Sequence, residues 1–99
     1  MSSVPAIEEV ITVLKREKPR LIKRFPLHGL SVFGSVARGD ATPDSDVDIL
    51  VDVDPSIGLD IVSLADEIEQ LLGRKVDLIS RRAVKPNMIQ QIEQELIDV

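Results

Sequence analysis

A chain of 99 residues, 43% hydrophobic and 29% charged, has room for one folded unit spanning residues 1–99 with a modest core, and none for a separate substrate-enclosing domain. A net charge of −5 argues against a protein that coats a polyanion, and two Phe with no Tyr or Trp leave almost no platforms for stacking bases, so direct nucleic-acid binding is not expected. With no Cys, no apolar run of spanning length and no signal-peptide pattern over Met1–Leu14, a cytoplasmic protein is expected.

Residues 5–17 read as an amphipathic helix, with Pro5 in the first turn, Glu8 and Glu9 at its positive end, and Ile7, Val10, Ile11 and Leu14 at helical spacing. Pro19 is expected to end or kink it, leaving one further turn around Leu21, Ile22 and Phe25 before Pro26. Six basic residues lie between Lys15 and Arg24. They suit a solvated helix face or a docking surface for an acidic partner.

Leu27–Phe33 reads as the first strand, closed by Gly34. A short helical turn over Ser35–Arg38 follows, with Ser35 as its N-cap and Gly39 as its stop. After turn residues 40–45, Asp46–Asp54 alternates: Val47, Ile49, Val51 and Val53 on one face, Asp46, Asp48, Leu50, Asp52 and Asp54 on the other. Leu59–Leu72 then reads as a helix ended by Gly73, Lys75–Ile79 as a third strand, and Pro86 to about Ile97 as a last helix. The pattern predicts an α/β (α+β) domain of two or three layers, a small mixed sheet of about three strands flanked by helices.

Asp46 and Asp48 leave the same face of a strand, with Cα atoms about 6.5–7 Å apart. Two carboxylates that close repel unless a cation lies between them. A hard divalent ion completed by phosphate oxygens would satisfy both. Asp77 is the candidate third carboxylate, because an Asp amid Val76, Leu78 and Ile79 is costly to bury without a partner or a metal. Asp52 and Asp54 lie about 13 and 20 Å from Asp48 along the strand and read as solvated charges.

Gly34-Ser35 at a strand-to-helix junction offers a backbone that phosphate can approach and a hydroxyl donor. Arg38, one turn on, either reaches a polyphosphate or pairs with Asp40 or Asp44 to hold the turn. Ser45 either supports the metal ligands or caps the loop before them. His28, the lone histidine, reads as structural. Arg81, Arg82 and Lys85 face a triphosphate or a partner, or form an ordinary solvated turn.

Gly34-Ser35, ten intervening residues and Asp46-Val47-Asp48, within the string GSVARGDATPDSDVDILV, resemble the signature of the DNA polymerase beta-type nucleotidyltransferase superfamily, and specifically its minimal nucleotidyltransferase branch. The resemblance covers nearly the whole chain. It implies the polymerase beta-type fold, with Gly34 and Ser35 binding the triphosphate of ATP, and Asp46, Asp48 and Asp77 as catalytic metal ligands for Mg²⁺, or Mn²⁺ in its place. Arg38 and Ser45 join the nucleotide-binding set. It further implies transfer of AMP to a hydroxyl, a tyrosine, of a partner HEPN-family ribonuclease toxin, making the chain its antitoxin. The alternatives are an antitoxin that neutralises the toxin by binding alone, and a stand-alone transferase acting on a small molecule or an RNA end.

Overall fold

The computed structural model describes residues 4–99; Met1–Ser3 of the expected domain lie outside the described residues. Helix α1 runs unbroken from Ile7 to Arg24, with Pro19 inside it. This corrects the expectation of a helix ending at residue 17 and a separate turn beyond. Pro19 lies on the exposed side of the helix, so its missing N–H removes one ladder bond without opening the packed face. Leu14 and Leu21, two turns apart on that face, are both fully buried and hold the helix against the core across the proline. The helix stops at Phe25, whose N–H bonds to the Leu21 carbonyl at 2.9 Å, just before Pro26.

Strand β1 is Leu27–Phe33, α2 is Gly34–Arg38 and β2 is Val47–Val53. A 3₁₀ turn at Pro55–Ile57 leads into α3, Asp60–Leu72, which is followed by β3, Val76–Ser80. A second 3₁₀ turn at Arg81–Ala83 leads to α4, Pro86–Glu93, and to β4, Ile97–Asp98. The expected last helix is therefore four residues too long at its C-terminal end. Among the described residues the sheet has four strands in the order β3-β2-β1-β4, rather than about three. Leu96 joins a core cluster and Ile97 pairs with Val32, and together these contacts outweigh continuation of a helix at the chain's end.

β2 pairs antiparallel with β1 and parallel with β3, the parallel step being bridged by α3. The alternation in β2 sorts the two faces. Val47, Ile49, Val51 and Val53 enter the main core with Leu30 and Val32 of β1, against Leu14 and Leu21 of α1 and Leu64 and Ile68 of α3. On the opposite face a second, smaller cluster sets Leu50 and Phe33 against Ile92 of α4, with Ile79 and Leu96 packed around them. Helix α4 thus covers only the middle of the acidic face, and Asp48 emerges at one end of that cover.

Four members of the basic stretch have defined positions. Arg20 and Arg24 both reach Glu67 on α3, Arg20 and Arg16 pair with Glu17, and Lys18 donates to the Val99 carbonyl at 2.6 Å. Part of that stretch therefore ties α1 to α3 and to the C-terminal strand.

Candidate functional site

The site forms where β1 ends, β2 begins and β3 runs beside it. Phe33 is the register partner of Asp48 across β1 and β2, which puts Gly34, the next residue, at the level of the Asp48 side chain. Gly34 has φ +75°, a left-handed conformation that glycine adopts without penalty. A Cβ at Gly34 would overlap Asp48 Oδ2 and lie 3.0 Å from its Cγ and 3.3 Å from its Cβ. Glycine is needed here for two reasons: the turn of the backbone and the space taken by this carboxylate.

Ser35 is the second residue of α2, not its N-cap. Phe33 holds the cap position and no side chain caps it, so Ser35 is not tied to the cap role expected of it. Gly39 ends the helix as expected, at φ +82°, with its N–H on the Ser35 and Val36 carbonyls.

Asp48 and Asp77 are register partners across the parallel pair β2/β3. Partners on adjacent strands lie about 4.8 Å apart and point to the same side of the sheet. Asp46 immediately precedes β2 in the sequence. The Asp48 carboxyl is pushed above the ordinary carboxylate range, first by burial and then by repulsion from Asp77 and Asp46, with Glu95 adding to the rise and Arg38 opposing it. This half-buried acid surrounded by acids fits the donor set of a hard cation. Among the described residues, however, no three Asp, Glu, His or Cys side chains converge closely enough to hold an ion as they stand.

Asp77 is exposed. The expectation that it is a costly buried carboxylate is thus corrected: β3 is an edge strand, and water reaches the face that carries Asp77. What singles Asp77 out is its register opposite Asp48. Asp52, opposite Gly29, is exposed and remote from Asp48. Asp54 accepts from the Ser56 N–H at 2.9 Å and caps the following 3₁₀ turn, a bond that lowers its pKa.

Arg38 makes the turn-holding contact weighed for it and a second contact that was not expected. Its Nε donates to Asp40 at 3.1 Å, the turn-holding pair, and its Nη1 donates to Glu95 at 2.9 Å. The other Glu95 oxygen accepts the Gly34 N–H at 3.2 Å. Glu95 is the site residue that sequence reading misses, since it enters from 61 positions away. The Ser45 hydroxyl accepts the Thr42 N–H at 2.8 Å, which is the loop-capping arrangement. Ser45 and Asp46 also border a cavity of about 600 Å³, walled by Val10, Val13 and Leu72. Arg81 pairs with Glu93 at 3.3 Å, and His28 is exposed at the start of β1.

Comparison with known proteins bears on this arrangement. Residues 8–99 match the family described as nucleotidyltransferase domain. The protein adenylyltransferase MntA of Thermococcus cleftensis is 39% identical over 94% of this chain and 95% of its own length. A solved structure reported as a minimal nucleotidyltransferase superposes with a TM-score of 0.73 at 37% identity, covering 91% of this chain and 95% of that one. A toxin–antitoxin crystal structure with AMP-PNP superposes with a TM-score of 0.67 at 25% identity, covering 93% of this chain and 70% of that one.

Proposed function

The chain belongs to the nucleotidyltransferase domain family and is a nucleotidyltransferase, and we propose that it transfers AMP from ATP to a tyrosine hydroxyl of a HEPN-family toxin, acting in the cytoplasm as that toxin's antitoxin. Residues 1–99 constitute the transferase domain in this reading. The single observation that carries the site is the packing of Gly34 against Asp48, with Asp77 in register beside it and Asp46 just before it. A protein acceptor, ATP as donor and a toxin partner are supported by the likeness to MntA, named a protein adenylyltransferase, and to a toxin–antitoxin assembly with AMP-PNP.

Gly34 and Ser35 present backbone and hydroxyl donors to the triphosphate, and Arg38 adds a planar guanidinium suited to phosphate oxygens. Asp46, Asp48 and Asp77 would hold the divalent cation, Mg²⁺ or Mn²⁺, which when bound offsets the charge of the triphosphate and polarises its α-phosphorus. Asp77, exposed and next to Asp48, accepts the proton of the incoming tyrosine hydroxyl. The tyrosine oxygen forms a bond to the α-phosphorus, the bond to the bridging oxygen breaks, and pyrophosphate leaves with that electron pair. Most of the protein's contribution is positioning and electrostatics. No helix of the described residues is long and apolar enough to cross a membrane.

The test is to incubate the chain with a HEPN-family toxin from the same genome, ATP and Mg²⁺, and to weigh the toxin by intact-mass spectrometry. An increase of one or more AMP units is expected, and Asp46→Asn with Asp48→Asn should abolish it. A toxin that is neutralised without gaining mass would refute the transfer.

A further inference from the structure

β4 pairs antiparallel with β1 through Val32↔Ile97 and Ser31↔Asp98. Extending the same register by two residues brings Glu95 opposite Gly34. The Glu95 carboxylate lands there and spans two donors: one oxygen takes the Gly34 N–H at 3.2 Å, the other takes Arg38 Nη1 at 2.9 Å. The neighbouring residues hold the backbone at Glu95 in place and leave its side chain free to turn. Leu96 packs in the cluster of Phe33, Leu50 and Ile92, the Glu95 N–H bonds to the Ile92 carbonyl at 2.9 Å, and the Val99 N–H bonds to the Leu30 carbonyl at 3.0 Å.

Gly34 and Arg38 are two of the groups assigned above to the triphosphate, so the inference rests on that reading. We propose that Glu95 is the resident anion of the phosphate-binding turn in the nucleotide-free protein, and that the triphosphate binds by exchange, displacing the Glu95 carboxylate from Gly34 and Arg38. Two anions cannot share these donors in proximity without mutual repulsion, and Glu95 already adds negative potential at Asp48. With the turn empty, Glu95 offsets the exposed positive charge of Arg38 and satisfies a backbone donor. Once the turn is occupied, it is an unfavourable neighbour of the phosphates. Glu95 would then weaken nucleotide binding and discriminate against ligands with too few phosphate oxygens to replace both of its bonds.

The experiment is calorimetric titration of the full chain with AMP-PNP and Mg²⁺, comparing wild type with Glu95→Ala and Glu95→Gln. Removing a competing pair of charge-assisted bonds, one exposed and one part-buried, should tighten binding by about threefold to tenfold in Glu95→Ala. Glu95→Gln keeps the shape and an acceptor for the Gly34 N–H while losing the charge, and should tighten binding by a smaller factor. It decides the matter if Glu95→Ala melts out before titration. Unchanged or weaker binding in the variants overturns the exchange, since a residue that merely aims Arg38 at the phosphates would lose affinity on removal. If wild type and variants alike bind no AMP-PNP, the assignment of Gly34 and Arg38 to phosphate falls, and the exchange with it; wild-type binding that the variants do not improve overturns the exchange alone.

Discussion

Replacing Gly34 by Ala separates two demands that the site makes on one residue. The backbone term comes from φ +75°, a region costing an L-residue about 1–2 kcal/mol. The second term is the overlap of the new Cβ with Asp48 Oδ2. Because Asp48 Cγ and Cβ are also within 3.0 and 3.3 Å, swinging the tip of the side chain does not relieve it. Asp48 must leave its rotamer, at about 0.5–1.5 kcal/mol. The sum is about 1.5–3.5 kcal/mol, which for a chain of this size lowers the melting temperature by on the order of 6–28 °C. Gly39→Ala is the internal control. Its φ is +82°, but a Cβ there meets nothing within 4 Å, so only the backbone term applies. Thermal melts by circular dichroism should therefore place Gly34→Ala below Gly39→Ala, and both below wild type. AMP transfer measured well below both midpoints should be lost in Gly34→Ala and kept in Gly39→Ala. Equal melting temperatures with transfer intact in both would refute the account of Asp48 as packed against Gly34.

Asp48→Asn tests the electrostatics. Its carboxyl is raised by burial and by Asp77 and Asp46, so the folded state disfavours the ionised form. The stability contribution is fully present below the ordinary carboxylate pKa and is lost as pH rises through the raised value. In EDTA at neutral pH the Asn variant should melt at or above wild type, with the gap closing as pH falls into the carboxylate range. Mg²⁺ should raise the wild-type midpoint and leave the variant's unmoved; an Asn variant that melts lower in EDTA at pH 7 would contradict the assignment. Pro19→Ala restores a ladder bond in the middle of α1 on an exposed face. The gain in helix propensity, about 3 kcal/mol, less the roughly 0.4–1 kcal/mol of entropy that proline removes from the unfolded chain, is about 2–2.5 kcal/mol. Denaturant unfolding should show that increase, and a loss of stability would mean that the ring makes a packing contribution its exposure does not suggest.

Local chemistry in this chain is written where it acts. The two-residue alternation of β2 separates Ile49 and Val51 from Asp48 and Asp52 without reference to any other strand, and the structure buries the first pair while leaving Asp48 half-buried and Asp52 exposed. Gly34 and Gly39 mark the ends of α2, where positive φ values are found. The errors fall where a distant contact decides. Pro19 has a strong local meaning, but Leu14 and Leu21 are both sealed in the core, and burial of two leucines outweighs one missing hydrogen bond. Ile97 continues a helical pattern on paper, yet Val32 of β1 takes it as a strand partner, as Ser31 takes Asp98. A two-residue strand has too short a period to be read from sequence.

Asp77 is a candidate whose place rests on a different cause from the one its sequence neighbours indicate. Its apolar neighbours suggested burial, whereas it lies exposed on edge strand β3, and its place beside Asp48 comes from parallel register alone. Glu95 is the converse case, since its own surroundings, Gln94 and Leu96, give no periodic or motif signal. Its position follows from summing two registers: β1 with β2 sets Gly34 beside Asp48, and β1 with β4 sets Glu95 beside Gly34. β1 is thus the strand on which the acidic residues and the Gly34–Arg38 turn, the proposed phosphate site, are aligned, although it contributes no charged side chain to either. A substitution that slipped β4 by one residue would turn the Glu95 position to the other face of the sheet, releasing Gly34 and Arg38 while leaving the Gly-Ser and Asp-x-Asp motifs intact.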